Sequence, residues 1–360
     1  MELREFTPTT LRQAIRSPEF WSTQHIPITP YRGLSHIHNP RAEADDVILL
    51  VGYEEGDVTA YVGILPDRLI VDGTPHKVGW FTAWWVDPAC GKRGVGRGLL
   101  ARAMELYDGR IAMSSMTEPA TRLVDSLGNH RTLRLARGLH VHYRPRGRST
   151  GGFVRPLFRA LDPFLVRLMR RRLTTRQHLR QAGAGIEVEY AREIDAEAAA
   201  FMDAHRGREL TQRGPEELNW ILRYPWVISG PIGDRLEKKY FFSSVARRFE
   251  LFGLKIYEHG TMIGFLLLKV RDDALSVPYS YFDPRHAAQV LHVILRHVVG
   301  LRITALFLHD AHIVGAFQES GAPCFGKEEA VRRSFISKAF DELDLDGYVL
   351  QDGDGDTVFT

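Results

Sequence analysis

Apolar and polar positions in the first 90 residues follow first a helical and then a strand-like pattern. Apolar side chains recur at helical spacing over Thr10–Trp21, which predicts a helix. Prolines and polar residues punctuate the segment from Pro27 to Pro40, which predicts a loop. Three β-branched and aromatic runs follow, separated by Asp/Gly turn signals: Val47–Tyr53, Thr59–Leu65 and Val78–Val86. This pattern indicates an antiparallel meander of three strands.

A helix, a strand and a second helix are predicted after the meander. The helix Val95–Tyr107 places its apolar side chains on one face, and Gly109 follows as a C-terminal cap. The next elements are a strand over Ile111–Met116 and a helix that Thr117 opens and Gly128 closes. A β-α-β-α unit therefore follows the meander.

The second half of the chain repeats this order of elements. Its pattern predicts strands near Ile186–Tyr190 and over Phe249–Tyr257, Met262–Val270, Leu275–Phe282 and Ile303–Leu308. It predicts helices over Asp195–His205, Pro215–Arg223, Arg285–Val299 and His312–Ser320. The segments Trp85–Ala89 and Tyr281–Arg285 share a hydrophobe, Asp and Pro in that order. The chain is thus predicted to hold two α/β domains, 1–145 and 186–360, joined by a connector over 146–185.

The segment Cys90–Leu99 places glycines and cations between a strand and a helix, and the second half has no counterpart to it. Gly94 and Gly96 let successive backbone N–H groups converge on one phosphate at the positive end of the helix dipole. The glycine spacing differs from the G-x-G-x-x-G of dinucleotide-binding folds, and the Gly-Lys-[Ser/Thr] ending of a P-loop is absent. The segment therefore predicts an anion site, with a purely structural turn as the alternative.

The residues Val86–Leu100 resemble the acetyl-CoA-binding motif of GNAT-family N-acetyltransferases, [QR]-x-x-G-x-[GA] after a V-x-P strand end. The resemblance implies two GNAT-like acyl-CoA N-acyltransferase domains, each a mixed, mostly antiparallel twisted sheet flanked by helices. It implies that acetyl-CoA is the co-substrate and that Trp84, Trp85 and Val86 face its pantetheine. It also implies that the pyrophosphate is held by Lys92, Arg93, Gly94, Val95, Gly96 and Arg97, and that Thr117 lies on the cofactor side.

Several positions depart from the family's pattern. Gly91 stands where Gln or Arg is usual, and Thr117 replaces an Asn. Val124 stands where many relatives have the Tyr that protonates the leaving thiolate, and Ala112 where many have a glutamate base. The usual acid and base are therefore both missing. A weaker likeness links Leu218–Val227 and the ending Asp352–Asp356 to GNAT-like proteins of bacterial polysaccharide biosynthesis.

Other residues are candidates for proton transfer and for binding the thioester. Asp87 ends a meander strand, and His142 and Tyr143 lie on a late strand where His140 and His142 share a face. A backbone N–H near Val86 is a candidate donor to the thioester carbonyl. Alternation places Trp80 and Trp84 on one face of their strand and Trp85 on the other.

No metal site is expected. His309 ends a predicted strand and His312 begins a helix, so the two do not converge, and Asp352–Asp356 lacks the later ligands of a calcium loop. Those aspartates are interpreted as a polar C-terminal tail.

Composition suggests a cytoplasmic protein whose cysteines are reduced thiols. Among 360 residues there are two cysteines, there is no apolar run of membrane-spanning length, and the first residues do not read as a signal peptide. The net charge is +3, but Arg144–Arg180 contains eleven arginines and one acid. That basic amphipathic stretch is either an inter-domain helix or a surface for anionic lipid headgroups, while nucleic acid is not favoured.

These features together predict an acetyl-CoA-dependent N-acetyltransferase in which the first domain holds the cofactor and the second shapes the acceptor site. The acceptor is expected to be a small-molecule or glycan amine, such as an amino sugar or a polysaccharide precursor. Two alternatives remain open: a Fem-like aminoacyltransferase that uses charged tRNA, and a non-catalytic subunit that senses acyl-CoA.

Overall fold

The computed structural model describes residues 1–90, 94–114, 116–145, 167–169, 171–173, 183–230 and 235–360. Its strands are β1 Glu2–Phe6, β2 Leu49–Glu54, β3 Asp57–Val71, β4 Thr74–Val86, β5 Ile111–Met113, β6 His130–His142, β7 Ile186–Ala191, β8 Ile228–Ser229, β9 Val245–Ala246, β10 Phe249–Glu258, β11 Thr261–Arg271, β12 Ala274–Phe282, β13 Ala305–Leu308 and β14 Gly326–Ser337. Its α-helices are α1 Pro8–Ala14, α2 Pro30–Ile37, α3 Val95–Leu106, α4 Glu118–Leu127, α5 Ala196–His205, α6 Pro215–Arg223, α7 Arg235–Lys239, α8 Ala287–Gly300 and α9 Ala311–Ser320.

The chain forms two compact units that are not consecutive halves of the sequence. Unit 1 contains residues 1–135, 207–249 and 333–360, and unit 2 contains residues 136–206 and 250–332. This partition differs from the division into 1–145, 146–185 and 186–360 that the sequence predicts. The connector 146–185 and the basic stretch up to Arg180 fall largely outside the described residues.

The two units share one strand order. In unit 1 the order is β1-β2-β3-β4-β5-β14, and in unit 2 it is β7-β10-β11-β12-β13-β6. Among the described strand pairs of the unit 1 sheet, β4/β5 is parallel and the others are antiparallel, and its equivalent in unit 2, β12/β13, is parallel as well. The short pair β8/β9 of unit 1, which lies outside that sheet, is also parallel. The repeat that the sequence predicts is therefore present as two sheets of mixed strand direction, each flanked by helices.

The last strand of each unit comes from the other half of the sequence. In unit 1, Phe335 and Ile336 of β14 pair antiparallel with Met113 and Ala112 of β5. In unit 2, residues 139–142 of β6 pair antiparallel with β13. This exchange explains why the compact units cross the predicted boundaries: each sheet is completed by a strand distant in sequence.

The core of unit 1 packs α3 closely on the meander. A Cβ at Gly79 would lie 2.8 Å from Ile64 Cγ2 and 2.9 Å from the Tyr107 ring, so only glycine fits under the end of the helix. Leu99, Leu100 and Ala103 of α3 are buried against this surface, as the amphipathic pattern predicts. The glycine thus sets the position of α3 above β4.

The structure corrects the prediction of a loop over Pro27–Pro40, because α2 lies within that segment. Thr29 is its N-cap and accepts a hydrogen bond from Arg32 N at 3.4 Å, and Pro30 occupies the first helical position. Proline is tolerated there because that N–H has no partner inside the helix. The sequence feature that could have predicted this helix is the pair Thr29-Pro30 at its start.

The C-terminal segment is also not the polar tail that the sequence suggests. Val358 and Phe359 are fully buried, and Asp354 is 5% exposed.

No helix in the part of the chain that the structure describes combines the length and apolarity that crossing a bilayer requires.

Stability should fall in acid because His36 of α2 is buried without charge. Desolvation, together with the nearby Arg32 cation, lowers the pKa of His36 from 6.5 to about 3. Below pH 6.5 the unfolded chain therefore binds a proton that the native chain does not, and the free energy of unfolding decreases. We expect this group to contribute a loss of about 2 kcal/mol between about pH 7.5 and pH 5.

Urea unfolding at both pH values measures this loss, with His36→Gln as the comparison because glutamine does not titrate. The variant should lose less stability on acidification by that amount. Parallel pH profiles for the two proteins would contradict the assignment.

Candidate active site

Strands β4 and β5 pair for only three residues and then separate. Gly79–Phe81 lie opposite Ile111–Met113 in parallel register, after which β5 ends while β4 continues to Val86. Ala83 has a φ of 49°, and the register with β3 shifts there, so that residues 83 and 84 together oppose one residue. Because β5 ends at Met113, the β4 backbone beyond Phe81 has no partner strand on the β5 side in the part of the chain that the structure describes.

The N-terminus of α3 lies directly on this free part of β4. Gly94 caps the helix in the left-handed region with a φ of 75°, which favours glycine. A Cβ at Gly96 would lie 3.5 Å from Trp84 Cζ2 and 3.6 Å from Val86 Cγ2. The first-turn N–H groups of Val95, Gly96 and Arg97 have no acceptor within the helix, and this end carries its positive dipole. The arrangement can hold an anion beside an open strand edge.

Most of the predicted cofactor residues that the structure describes lie at this place, whereas Trp85 is buried in another core cluster, with its ring centroid 5.1 Å from that of Tyr61. Trp84, Val86, Gly94, Gly96 and the exposed Arg97 surround the end of β4. Lys92 and Arg93 lie outside the described residues. Thr117 is exposed and is the N-cap of α4, whose Leu123 approaches the Cβ position of Gly96 at 3.7 Å.

The bulge also changes which tryptophans share a face. Trp84 packs edge-to-face on Phe81 with ring centroids 5.7 Å apart, and both contribute to the core under α3. Trp80, the neighbour of Phe81, points to the opposite face, where its ring meets Gly355. The predicted pairing of Trp80 with Trp84 is therefore wrong, because the additional residue at Ala83 reverses the alternation.

A polar cluster lies where β4 and β5 diverge. Thr82 and Ser114 are the residues that directly follow the last paired positions, and both are buried. Thr82 Oγ1 donates to Asp356 Oδ2 at 2.7 Å, and Ser114 Oγ donates to Asp356 Oδ1. Arg32 Nη2 donates to Thr82 Oγ1, so a cation, two hydroxyls and a carboxylate form one network.

Aromatic side chains fix the Arg32 guanidinium in this network. Arg32 is 5% exposed, its Cζ lies 3.7 Å above the Trp226 ring, and its Nη1 donates to Tyr240 Oη at 2.9 Å. Asp356 is only half-buried, unlike its partners. Both carboxylate oxygens are thus held by hydrogen bonds from buried hydroxyls.

A buried ion pair holds the C-terminal segment that carries Asp356. Arg213 is 2% exposed and donates to Asp67 Oδ2 at 2.8 Å, to Gly355 O at 2.9 Å and to Gly353 O at 3.3 Å. Gly355 has a φ of 68°, and a Cβ there would lie 2.9 Å from the Trp80 ring. The Gly-Asp-Gly sequence therefore permits a close turn against β4.

The charges around Asp67 decide its protonation. Burial by itself would raise the pKa of Asp67, but Arg213 and Arg41 outweigh it and hold the pKa below its usual value. Arg41 Nη1 lies 2.6 Å from Asp67 Oδ1 and its Nε 2.6 Å from Glu217 Oε1. Asp354 differs: burial raises its pKa despite the Arg213 charge and the Thr211 hydroxyl at 2.7 Å.

The residues predicted for proton transfer lie elsewhere than this cluster. Asp87 accepts from Ala89 N at 2.8 Å, which caps the turn after β4, and lies 4.0 Å from His25 Nε2. His142 and Tyr143 belong to unit 2, and burial raises the pKa of Tyr143. Ala112 and Val124, which stand where the resemblance implies a base and an acid, are buried, and their side chains carry no group that could transfer a proton.

Sequence reasoning missed Asp356 together with Arg32, Thr82 and Ser114. The Asp-Gly repeat predicts a polar C-terminal tail, although the apolar Val358 and Phe359 follow it. Those two apolar residues are the sequence feature that could have predicted that this segment packs against the rest of the protein.

Comparisons with known proteins agree with this geometry. Residues 11–128 match the model of the acetyltransferase (GNAT) family. Similar solved structures include GCN5-related N-acetyltransferases from Anabaena variabilis (10% identity, 93% of this chain and 72% of that chain, TM-score 0.51) and Kribbella flavida (14%, 93% and 71%, TM-score 0.50). Saccharomyces cerevisiae N-myristoyltransferase with bound myristoyl-CoA is also similar (9%, 93% and 82%, TM-score 0.50).

No curated protein sequence matches the chain significantly. The predicted resemblance is confirmed for residues 11–128, and the fold is that of GNAT acyltransferases.

Arg213→Met should destabilise the protein by about 3 kcal/mol, because it leaves Asp67 buried with one cation fewer and releases the carbonyls of Gly353 and Gly355. Chemical denaturation at neutral pH measures the change. Arg208→Met is the matched control, since Arg208 is 58% exposed and lies 3.8 Å from Asp72, and it should leave the stability almost unchanged. Equal losses for both variants would refute the anchoring role.

Proposed function

We propose that the chain, whose residues 11–128 form a GNAT acetyltransferase domain, is an acetyl-CoA-dependent N-acetyltransferase that acylates an amine. The observation that carries the proposal is the divergence of β4 from β5 beside the glycine-capped N-terminus of α3, with a carboxylate at the point of divergence. An extended thioester cofactor needs these three features together: an anion site, an open strand edge and a polar group at the reacting end.

The site fits acetyl-CoA. The first-turn N–H groups of α3 would receive the pyrophosphate, with Lys92, Arg93 and Arg97 adding positive charge. The unpaired backbone of β4 from Thr82 to Val86 would bind the pantetheine amides as an added strand does. Because the bulge lies at Ala83, an N–H beside it is a better donor to the thioester carbonyl than one near Val86.

Asp356 is the group best placed to accept a proton from the amine. The neutral amine attacks the carbonyl carbon, the C–S bond breaks, and the proton lost by nitrogen is available for the departing sulfur. Hydrogen bonds from Thr82 and Ser114 fix the carboxylate in one orientation. An ammonium substrate would be drawn to the same carboxylate, which favours an amine acceptor.

The weak likeness to proteins of polysaccharide biosynthesis supports an amino sugar or a polysaccharide precursor as that amine. Acetyl is the acyl group that the family resemblance supports.

Replacing Gly96 by Asp should weaken CoA binding at least ~tenfold, because its carboxylate would compete with the pyrophosphate for the first-turn N–H groups. Isothermal titration with acetyl-CoA and with CoA measures the affinity. Gly98→Asp is the control: it adds the same charge half a turn further along α3, where a Cβ would meet nothing within 4 Å. Undiminished affinity in Gly96→Asp would refute the proposed pyrophosphate site.

Asp356→Asn should lower kcat about 10²-fold with little change in the affinity for acetyl-CoA, because the amide can accept from one of the two hydroxyls and donate to the other but is not a base. Thiol release with a panel of amines measures the rate over a range of pH. Asp346→Asn changes an exposed aspartate of the same unit and should have no effect. An unchanged rate and pH profile in Asp356→Asn would exclude this carboxylate as the base.

A further inference from the structure

A cluster of two histidines and a glutamate in unit 2 is not used by the proposed acyl transfer. His140 and His142 project from β6, and Glu328 projects from the neighbouring strand β14. His140 Nδ1 lies 3.1 Å and His142 Nε2 lies 3.3 Å from Glu328 Oε1. The three candidate ligand atoms all lie within 4.8 Å of one another.

We propose that His140, His142 and Glu328 bind one Zn²⁺ ion. Around a tetrahedral zinc with bonds of about 2.0–2.2 Å, neighbouring ligand atoms are separated by about 3.3 Å. The two distances to the glutamate oxygen agree with this separation. Two imidazole nitrogens and one carboxylate oxygen also match the ligand types of zinc, whereas Mg²⁺ and Ca²⁺ prefer sites made of oxygen.

Strand geometry fixes all three side chains on one face. Val141, between the histidines, is fully buried in the core of unit 2, so His140 and His142 point to the other face. Arg137 of β6 instead pairs with Glu329 at 2.7 Å, as alternation requires for the opposite face. Each face thus has its own cross-strand charge pair, and Glu328 contacts both histidines.

The histidine rings are preorganised, and the cluster remains accessible to solvent. The His140 ring stacks on Phe307 of β13 with centroids 3.9 Å apart and planes inclined by 23°. The His140 and His142 side chains are 16% and 12% exposed, whereas that of Glu328 is 46% exposed. An ion can therefore enter from solvent, with water in the fourth position. Bound there, it would link β6 to β14.

The test is titration of the full chain, free of affinity tag and stripped with chelator, with ZnCl₂ at about pH 7.5, where imidazole is neutral. We expect one ion per chain with a Kd at or below the micromolar range, and visible absorption bands when Co²⁺ replaces Zn²⁺. Absence of binding tighter than ~100 μM in the unaltered protein would overturn the proposal.

Glu328→Gln and His142→Asn should each weaken binding at least ~tenfold, since each removes one ligand and keeps a side chain of similar size. Glu329→Gln and His312→Asn are the matched controls and should bind as the unaltered protein does. Circular dichroism checks that every variant folds. Equal affinity of Glu328→Gln and Glu329→Gln would refute the site, and neither result depends on acyl transfer.

Discussion

The buried carboxylate of Asp67 is the constraint on which the candidate active site depends. Burial of an anion is unfavourable unless cations surround it, and Arg213 and Arg41 both lie within 2.8 Å of its oxygens. Arg213 then has donors left for the carbonyls of Gly353 and Gly355, so the charge pair also holds the C-terminal segment. The position of Asp356 beside Thr82 and Ser114 follows from this anchoring, more than 140 residues from Arg213 in sequence.

A short parallel pair gives the same unit its opening. Because β5 ends at Met113 and Ala83 bulges, β4 keeps an unpaired backbone edge directly beneath the first turn of α3. Gly79 permits the close approach of the end of α3 to β4, where a Cβ would lie 2.8 Å from Ile64. Backbone geometry therefore forms the open edge and the helix N-terminus beside it, and the carboxylate proposed for proton transfer comes from elsewhere in the chain.

The exchanged strands give each unit residues that its own half of the sequence lacks. Strand β14 completes the sheet of unit 1 at Phe335 and Ile336, and β6 completes that of unit 2. The same exchange brings Glu328 to His140 and His142. A sequence repeat shows that two similar sheets exist, but it does not show which strand closes each one.

Local sequence signals are enough to predict the mixed α/β class, the meander, the glycine loop before α3 and most element bounds, and the predicted bounds of α6, Pro215–Arg223, match the structure. These features follow from local periodicity, capping residues and the backbone freedom of glycine. The strand exchange, the bulge at Ala83, the docking of the C-terminal segment and the convergence of Arg32, Thr82, Ser114 and Asp356 became visible in the folded protein alone. Each of these depends on contacts between residues far apart in the chain, and β14 gave no strand signal because its first eight residues are mostly charged.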